Sequence, residues 1–183
     1  MKVSLVILAL IGLVACATPA PAPTPLPTPS PTPTSSERRA DIAKYLGVYN
    51  QVSNNTDDTM NSTLAPLRSA GDWNTWDAVV TSLLGVVRGH EQQVQGLTPP
   101  QHTAKALLLQ TKTESFAREL TSAVNSMQTA VRARDENSLQ ASTRRLGAMA
   151  VEPATKEIDT LIQQLLEEFN IPDSEVQYRR PKN

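Results

Sequence analysis

DWNTWDAVVTSLLGVVRGHEQQVQG, residues 72–96, holds the clearest periodicity in the chain. Trp73, Trp76, Val80, Leu83, Val87, His90 and Val94 recur at steps of three and four, one stripe along an α-helix. Asp72 suits the N-cap, and Gly96 ends the pattern. A strand would alternate apolar and polar residues, and this stretch does not.

The same period extends outward in both directions. Upstream, Ile42, Leu46, Tyr49, Val52, Thr56, Met60 and Leu64 predict a first helix that stops near Pro66, with Gly71 in the turn. Downstream, Thr98-Pro99-Pro100-Gln101 has the form of a capping box with proline in the first turn. A third helix follows through Ala106, Leu109, Thr113, Phe116, Leu120, Val124, Met127 and Val131. Asp135 caps a fourth, which carries Leu139, Leu146, Met149, Ile158, Leu161, Leu165 and Phe169. Pro153 lies inside it and should bend or break it near Val151, because proline removes a donor and clashes with the preceding turn. Short connections force neighbouring helices to run antiparallel. The expectation is an all-α, up-and-down four-helix bundle over residues 37–170. Helix 2 is the short member, so Met127, Val131 and Leu139 project past Trp73, and the Ala65–Asp72 connection with both tryptophans should fold over that end. Residues 171–183 are polar, contain two prolines and read as a flexible tail.

Before the bundle come two segments of different character. Lys2 precedes an apolar run from Val3 to Val14, followed by small residues, the three parts of a secretory signal. That run is shorter than the roughly 20 residues a membrane-spanning helix needs. Leu13-Val14-Ala15-Cys16 places the single cysteine of the chain directly after it. This tetrad resembles the lipobox of bacterial lipoproteins. The resemblance implies removal of residues 1–15, a diacylglyceryl group on the Cys16 sulfur, and residence at the outer face of a cell membrane. A single acyl chain anchors marginally, and two or three on one residue anchor firmly. Residues 17–36 place proline at every second position from 19 to 33, interleaved with Thr, Ala and Ser. Such a segment favours polyproline II and acts as a semi-rigid spacer of up to roughly 60 Å. With Cys16 it forms a linker over residues 16–36.

Charge and composition narrow the partners. Seventeen basic residues face 18 acidic ones, for a net charge of −1, and aromatic residues make up 4 % of the chain. Nucleic-acid binding calls for a basic excess on one face, so nucleic acid is not an expected partner. The expected partners are the membrane, through lipid on Cys16, and an envelope protein or small ligand.

His90 is the one residue that interrupts the apolar stripe of helix 2. Folding the first hairpin about Gly71 sets it level with Gln51, beside Tyr49 and Val52; folding the second about Thr98 sets it level with Leu107. A buried neutral imidazole needs a partner, and Tyr49 or Gln51 is in position to supply one. Gly85 and Gly89 stand four apart on the same helix, where small residues allow close backbone approach or leave a hollow. Tyr49, Gly85, Gly89 and His90 therefore form the candidate ligand pocket. The alternatives are a metal- or haem-binding sensor using His90, or a structural envelope protein. Against metal, His102 is offset from His90 by about one and a half helical turns, and the chain has no Glu-x-x-His of the di-iron bundles. Haem attachment through Cys-x-x-Cys-His is missing as well. No nucleophile elbow, P-loop or dinucleotide fingerprint occurs. The expectation is a non-enzymatic binding module without a cofactor. The stretch from Leu97-Thr98-Pro99-Pro100 through Ala106-Leu107-Leu108-Leu109 to Arg134-Asp135 and Leu139 resembles a pattern of bacterial helical lipoproteins, in which a histidine often follows the paired prolines by one to two turns. Here Lys105 and Ala106 occupy that place, and the resemblance implies a fold and no activity.

Overall fold

The computed structural model describes residues 33–68, 72–149 and 153–179. The regular elements among them are all helical. They are α1 (Ser35–Leu64), a 3-10 turn (Ala65–Arg68), α2 (Trp73–Gln95), α3 (Ala104–Ala133), α4 (Glu136–Met149), α5 (Pro153–Glu168) and a second 3-10 turn (Asp173–Glu175). α1 packs on α2, α2 on α3, and α3 on both α4 and α5. That is the neighbour order of an antiparallel four-helix bundle whose fourth helix is broken in two. No helix among the described residues is long and apolar enough to cross a membrane.

The break follows from Pro153. α4 ends at Met149 and α5 restarts with Pro153 in its first turn, where proline lacks only a donor that has no intrahelical acceptor. Thr155 Oγ1 reaches back across the interruption to the Met149 carbonyl at 2.7 Å. Val151 lies outside the described residues.

Local capping sets the other boundaries. Asp72 accepts from the backbone of Asn74 and Thr75 at 3.0 and 2.9 Å, and Asp135 accepts from Ser138 at 3.1 Å, so both expected caps are in place. α1 begins at Ser35, two residues ahead of the boundary at 37. Thr34 and Glu37 form a reciprocal capping box, with Glu37 N–H donating to Thr34 Oγ1 and Thr34 N–H to Glu37 Oε2. The box expected at Thr98–Gln101 does not form. α3 starts later, at Ala104, with Thr103 in the cap position. The reason is local: Pro100 disfavours the helical conformation for Pro99, which keeps the segment in a loop.

Two apolar clusters fill the bundle. One joins Ile42 and Leu46 of α1 to Leu109 of α3 and to Ile158, Leu161, Ile162 and Leu165 of α5. The other joins Val80, Leu83, Leu84 and Val87 of α2 to Val124, Met127 and Val131 of α3 and to Leu139 and Met149 of α4. Phe116 touches both. Trp73 and Trp76 are half-buried against the second cluster, at the end that holds Val131 and Leu139, as expected.

The polar C-terminal segment departs from expectation. Residues 171–179 lie along α1 and α5, and residues 180–183 of the expected tail lie outside the described residues. Asn170 adopts a left-handed backbone (φ 50°), and Ile171 N–H bonds to the Leu166 carbonyl at 2.8 Å, which ends α5 and turns the chain back on the bundle. Ile171 and Val176 enter the first cluster, with Val176 fully buried. Asn50 and Asn54, one turn apart on α1, donate to the carbonyls of Val176 and Gln177, each at 3.0 Å. Arg39 pairs with Glu175, and Arg179 with Asp58 through both guanidinium nitrogens at 3.0 and 3.1 Å. Two buried side chains and two asparagine donors outweigh the polar average of the segment.

Candidate functional site

The two clusters do not meet along the whole bundle. Between them, where α1 faces the α4–α5 break, lies a cavity of about 380 Å³. α1 contributes Tyr49, Ser53, Thr56, Asp57 and Met60; α2 contributes His90; α3 contributes Thr113, Phe116 and Leu120. Leu146 and Met149 close it from α4, and Thr155, Ile158 and Asp159 from α5. The volume is that of a small-molecule site, and a few polar groups converge on an apolar wall.

His90 is buried, and its Nδ1 lies 3.0 Å from Thr56 Oγ1. The Thr56 hydroxyl donates its one hydrogen to the Val52 carbonyl at 2.9 Å. Its oxygen therefore accepts from His90 Nδ1–H, and the hydrogen-bond network assigns the tautomer that leaves Nε2 as an acceptor. Burial lowers the imidazole pKa and keeps the ring neutral. The partner is thus Thr56, not Tyr49 or Gln51, and Gln51 is exposed. His90 thus meets α1 at Thr56, more than a turn beyond the expected level of Gln51. The late start of α3 shifts the second hairpin: His90 shares the cavity with Phe116 and Thr113, while Leu107 is exposed.

Tyr49 is 5 % exposed, and its hydroxyl lies near Thr113 and Ser53. Burial raises its pKa, so it stays a neutral phenol. Asp57 and Asp159 reach the cavity from α1 and α5. Burial pushes both carboxyl pKa values up; for Asp57 the neighbouring Asp58 adds to the rise and Arg179 opposes it. The Tyr178 hydroxyl donates to Asp159 Oδ1 at 3.4 Å and opposes the rise there.

Tyr49 and His90 are therefore brought together as the sequence suggested. Gly85 and Gly89 are not. Gly85 is exposed and Gly89 half-buried, neither lines the cavity, and a Cβ at either position meets nothing within 4 Å. Their face of α2 turns away from the stripe that packs. Ser53, Thr56, Thr113, Thr155 and Asp159 were missed by the sequence; Asp57 is exposed, where a solvated helical face puts it, and also lines the cavity. A run of polar residues at positions 53–58 between Tyr49 and Met60 was the available signal on α1, since the apolar stripe is interrupted there. His102 stands apart, with its ring edge-on to Phe169 at 6.4 Å. Among the described residues, no three His, Cys, Asp or Glu side chains are grouped to hold a metal ion. Cys16 lies outside the described residues.

A second hollow, of about 520 Å³, runs between Trp73, Trp76, Leu139 and Arg144. Its polar lining residues Asp72, Glu136, Gln140, Thr143 and Arg144 are all exposed. It is a surface depression over the capped end of the core, without the buried polar groups of the first. No family model, curated protein or solved structure matches the chain.

Proposed function

We propose that the protein is a bacterial lipoprotein, tethered by Cys16 at the outer face of a membrane, whose bundle is a non-catalytic binding module for a small ligand. The anchor rests on the sequence Leu13-Val14-Ala15-Cys16 and on the proline-rich spacer after it. The binding role rests on one observation: the cavity that holds Tyr49, His90 and two carboxylates between two otherwise well-filled apolar clusters. A bundle selected for packing alone gains by filling that space with aliphatic side chains. Its polar lining is costly to bury and gains partners when a ligand enters. The Thr56 hydroxyl donates to the Val52 carbonyl and accepts from His90, so this pair is not a nucleophile with its base, which supports binding over turnover.

Mass spectrometry of the native protein tests the anchor. A mature chain that begins at an acylated Cys16 is expected, and a bare thiol or a later start overturns it. Ser53→Trp tests the module by filling the cavity from α1. Loss of small-molecule binding with the helical circular-dichroism spectrum retained is expected. A variant with raised melting temperature, from a parent that binds nothing, favours a structural envelope protein instead. Stoichiometric metal lost on His90→Ala favours the sensor.

A further inference from the structure

We infer that the cavity between α1 and the α4–α5 break takes an organic cation, a protonated amine on an apolar body, with Asp57 and Asp159 as its counter-charges. The inference rests on the binding-module reading and narrows it to a ligand class. Three features of the cavity carry it.

The first is the charge balance of the lining. Asp57 and Asp159 enter from different helices, and among the described residues no lysine or arginine lines the space. Arg179, whose charge acts on Asp57, is held by Asp58 in a two-point pair. α3 and α4 contribute only uncharged side chains. His90 is neutral and offers an acceptor nitrogen, so it adds to the electron-rich side. Asp57 makes no hydrogen bond or ion pair with another described residue. Asp159 is half-buried, and a bound cation offsets the cost of withdrawing its charge from water, while Asp57 is exposed and adds its charge from the α1 side. An anionic ligand meets two like charges and is rejected.

The second is the apolar wall. Met60, Leu120, Leu146, Met149 and Ile158 surround the polar groups, so a hydrated inorganic ion finds no partner over most of the surface. Together with the missing three-donor grouping, this points away from a metal and toward a cation that carries hydrocarbon. The third is aromatic. Tyr49 and Phe116 line the same space, and aromatic rings attract cations through their quadrupole.

Calorimetric titration of the full chain with phenethylamine, 2-phenylethanol and 3-phenylpropionate at neutral pH tests the inference, because the three probes share a phenyl body and differ in charge. Phenethylamine is expected to bind at least about tenfold more tightly than the alcohol, with the carboxylate weakest. In the double variant Asp57→Asn, Asp159→Asn the amine should bind no more tightly than the alcohol, with the melting temperature no lower. Equal binding of amine and alcohol, or tighter binding of the carboxylate, overturns the cationic assignment and leaves the binding module standing. Absence of binding by all three, with Ser53→Trp raising the melting temperature, overturns both.

Discussion

α2 meets α3 along an apolar seam through Val80, Leu83 and Val87, whereas α1 meets the α4–α5 break across a polar gap. Val80, Leu83 and Val87 are each 0 % exposed on the first side. On the second, Ser53, Thr56 and Asp57 occupy the corresponding stretch of α1, and the facing helix is interrupted. One side is thus filled by buried aliphatic side chains at Val80, Leu83 and Val87, and the other retains a hollow with hydrogen-bonding groups. The contrast indicates that the departure from ideal packing is local and organised around His90, rather than spread through a loose core.

The largest effect expected is a difference between two identical substitutions. Leu83→Ala, in the sealed seam, should cost about 3 kcal/mol of unfolding free energy in urea denaturation, because a fully enclosed void replaces the side chain. Leu146→Ala, at the cavity edge and only half-buried, should cost about 1 kcal/mol, since it enlarges a space already present. Equal costs would erase the distinction between the two sides.

A smaller effect concerns the segment that crosses α1. Val176→Ala should cost about 1–2 kcal/mol and speed hydrogen exchange through residues 171–179. Unchanged exchange would show that the Asn50 and Asn54 contacts hold the segment without the buried valine. That outcome would move the weight from the apolar cluster to the hydrogen bonds at 3.0 Å.

The smallest is the pH dependence of stability, which the two sides should not share. Asp57 and Asp159 have folded pKa values raised above the unfolded ones. Their contribution to stability is present in acid and is lost as pH rises through the raised values. His90 has a lowered folded pKa, so its contribution is present above about 6.5 and is lost as pH falls below it. Asp159→Asn should therefore raise the melting temperature at neutral pH and flatten the acidic branch, with a smaller effect from Asp57→Asn because the exposed carboxylate is screened by water. His90→Gln should remove the decline just below pH 6.5. Parent-like pH profiles in all three variants would mean that the groups are solvated and the gap is ordinary surface.

The helical stripes of α2 and α3, the caps at Asp72 and Asp135 and the interruption at Pro153 were legible in the residues, because each depends on neighbours within one or two turns. The pairing of Tyr49 with one cavity and His90 with the same cavity was legible for a coarser reason: antiparallel neighbours of known length must place them near each other. The partner of His90 was not. It depends on how many residues each connection consumes, and the loop before Ala104 is longer than the expected capping box at Thr98 allowed. The glycines misled because spacing alone does not say which way a face of the helix points.

By itself, the sequence determined that the domain is helical, roughly where its helices lie, and that His90 sits in an apolar stripe. Periodicity and capping are local and need no partner. Only the tertiary structure decided that Thr56 holds the imidazole, that Asp57 and Asp159 face one hollow from opposite helices, and that a polar tail is docked. Each of these joins residues far apart in the chain, and their meeting is set by helix register and by burial, which no single segment encodes.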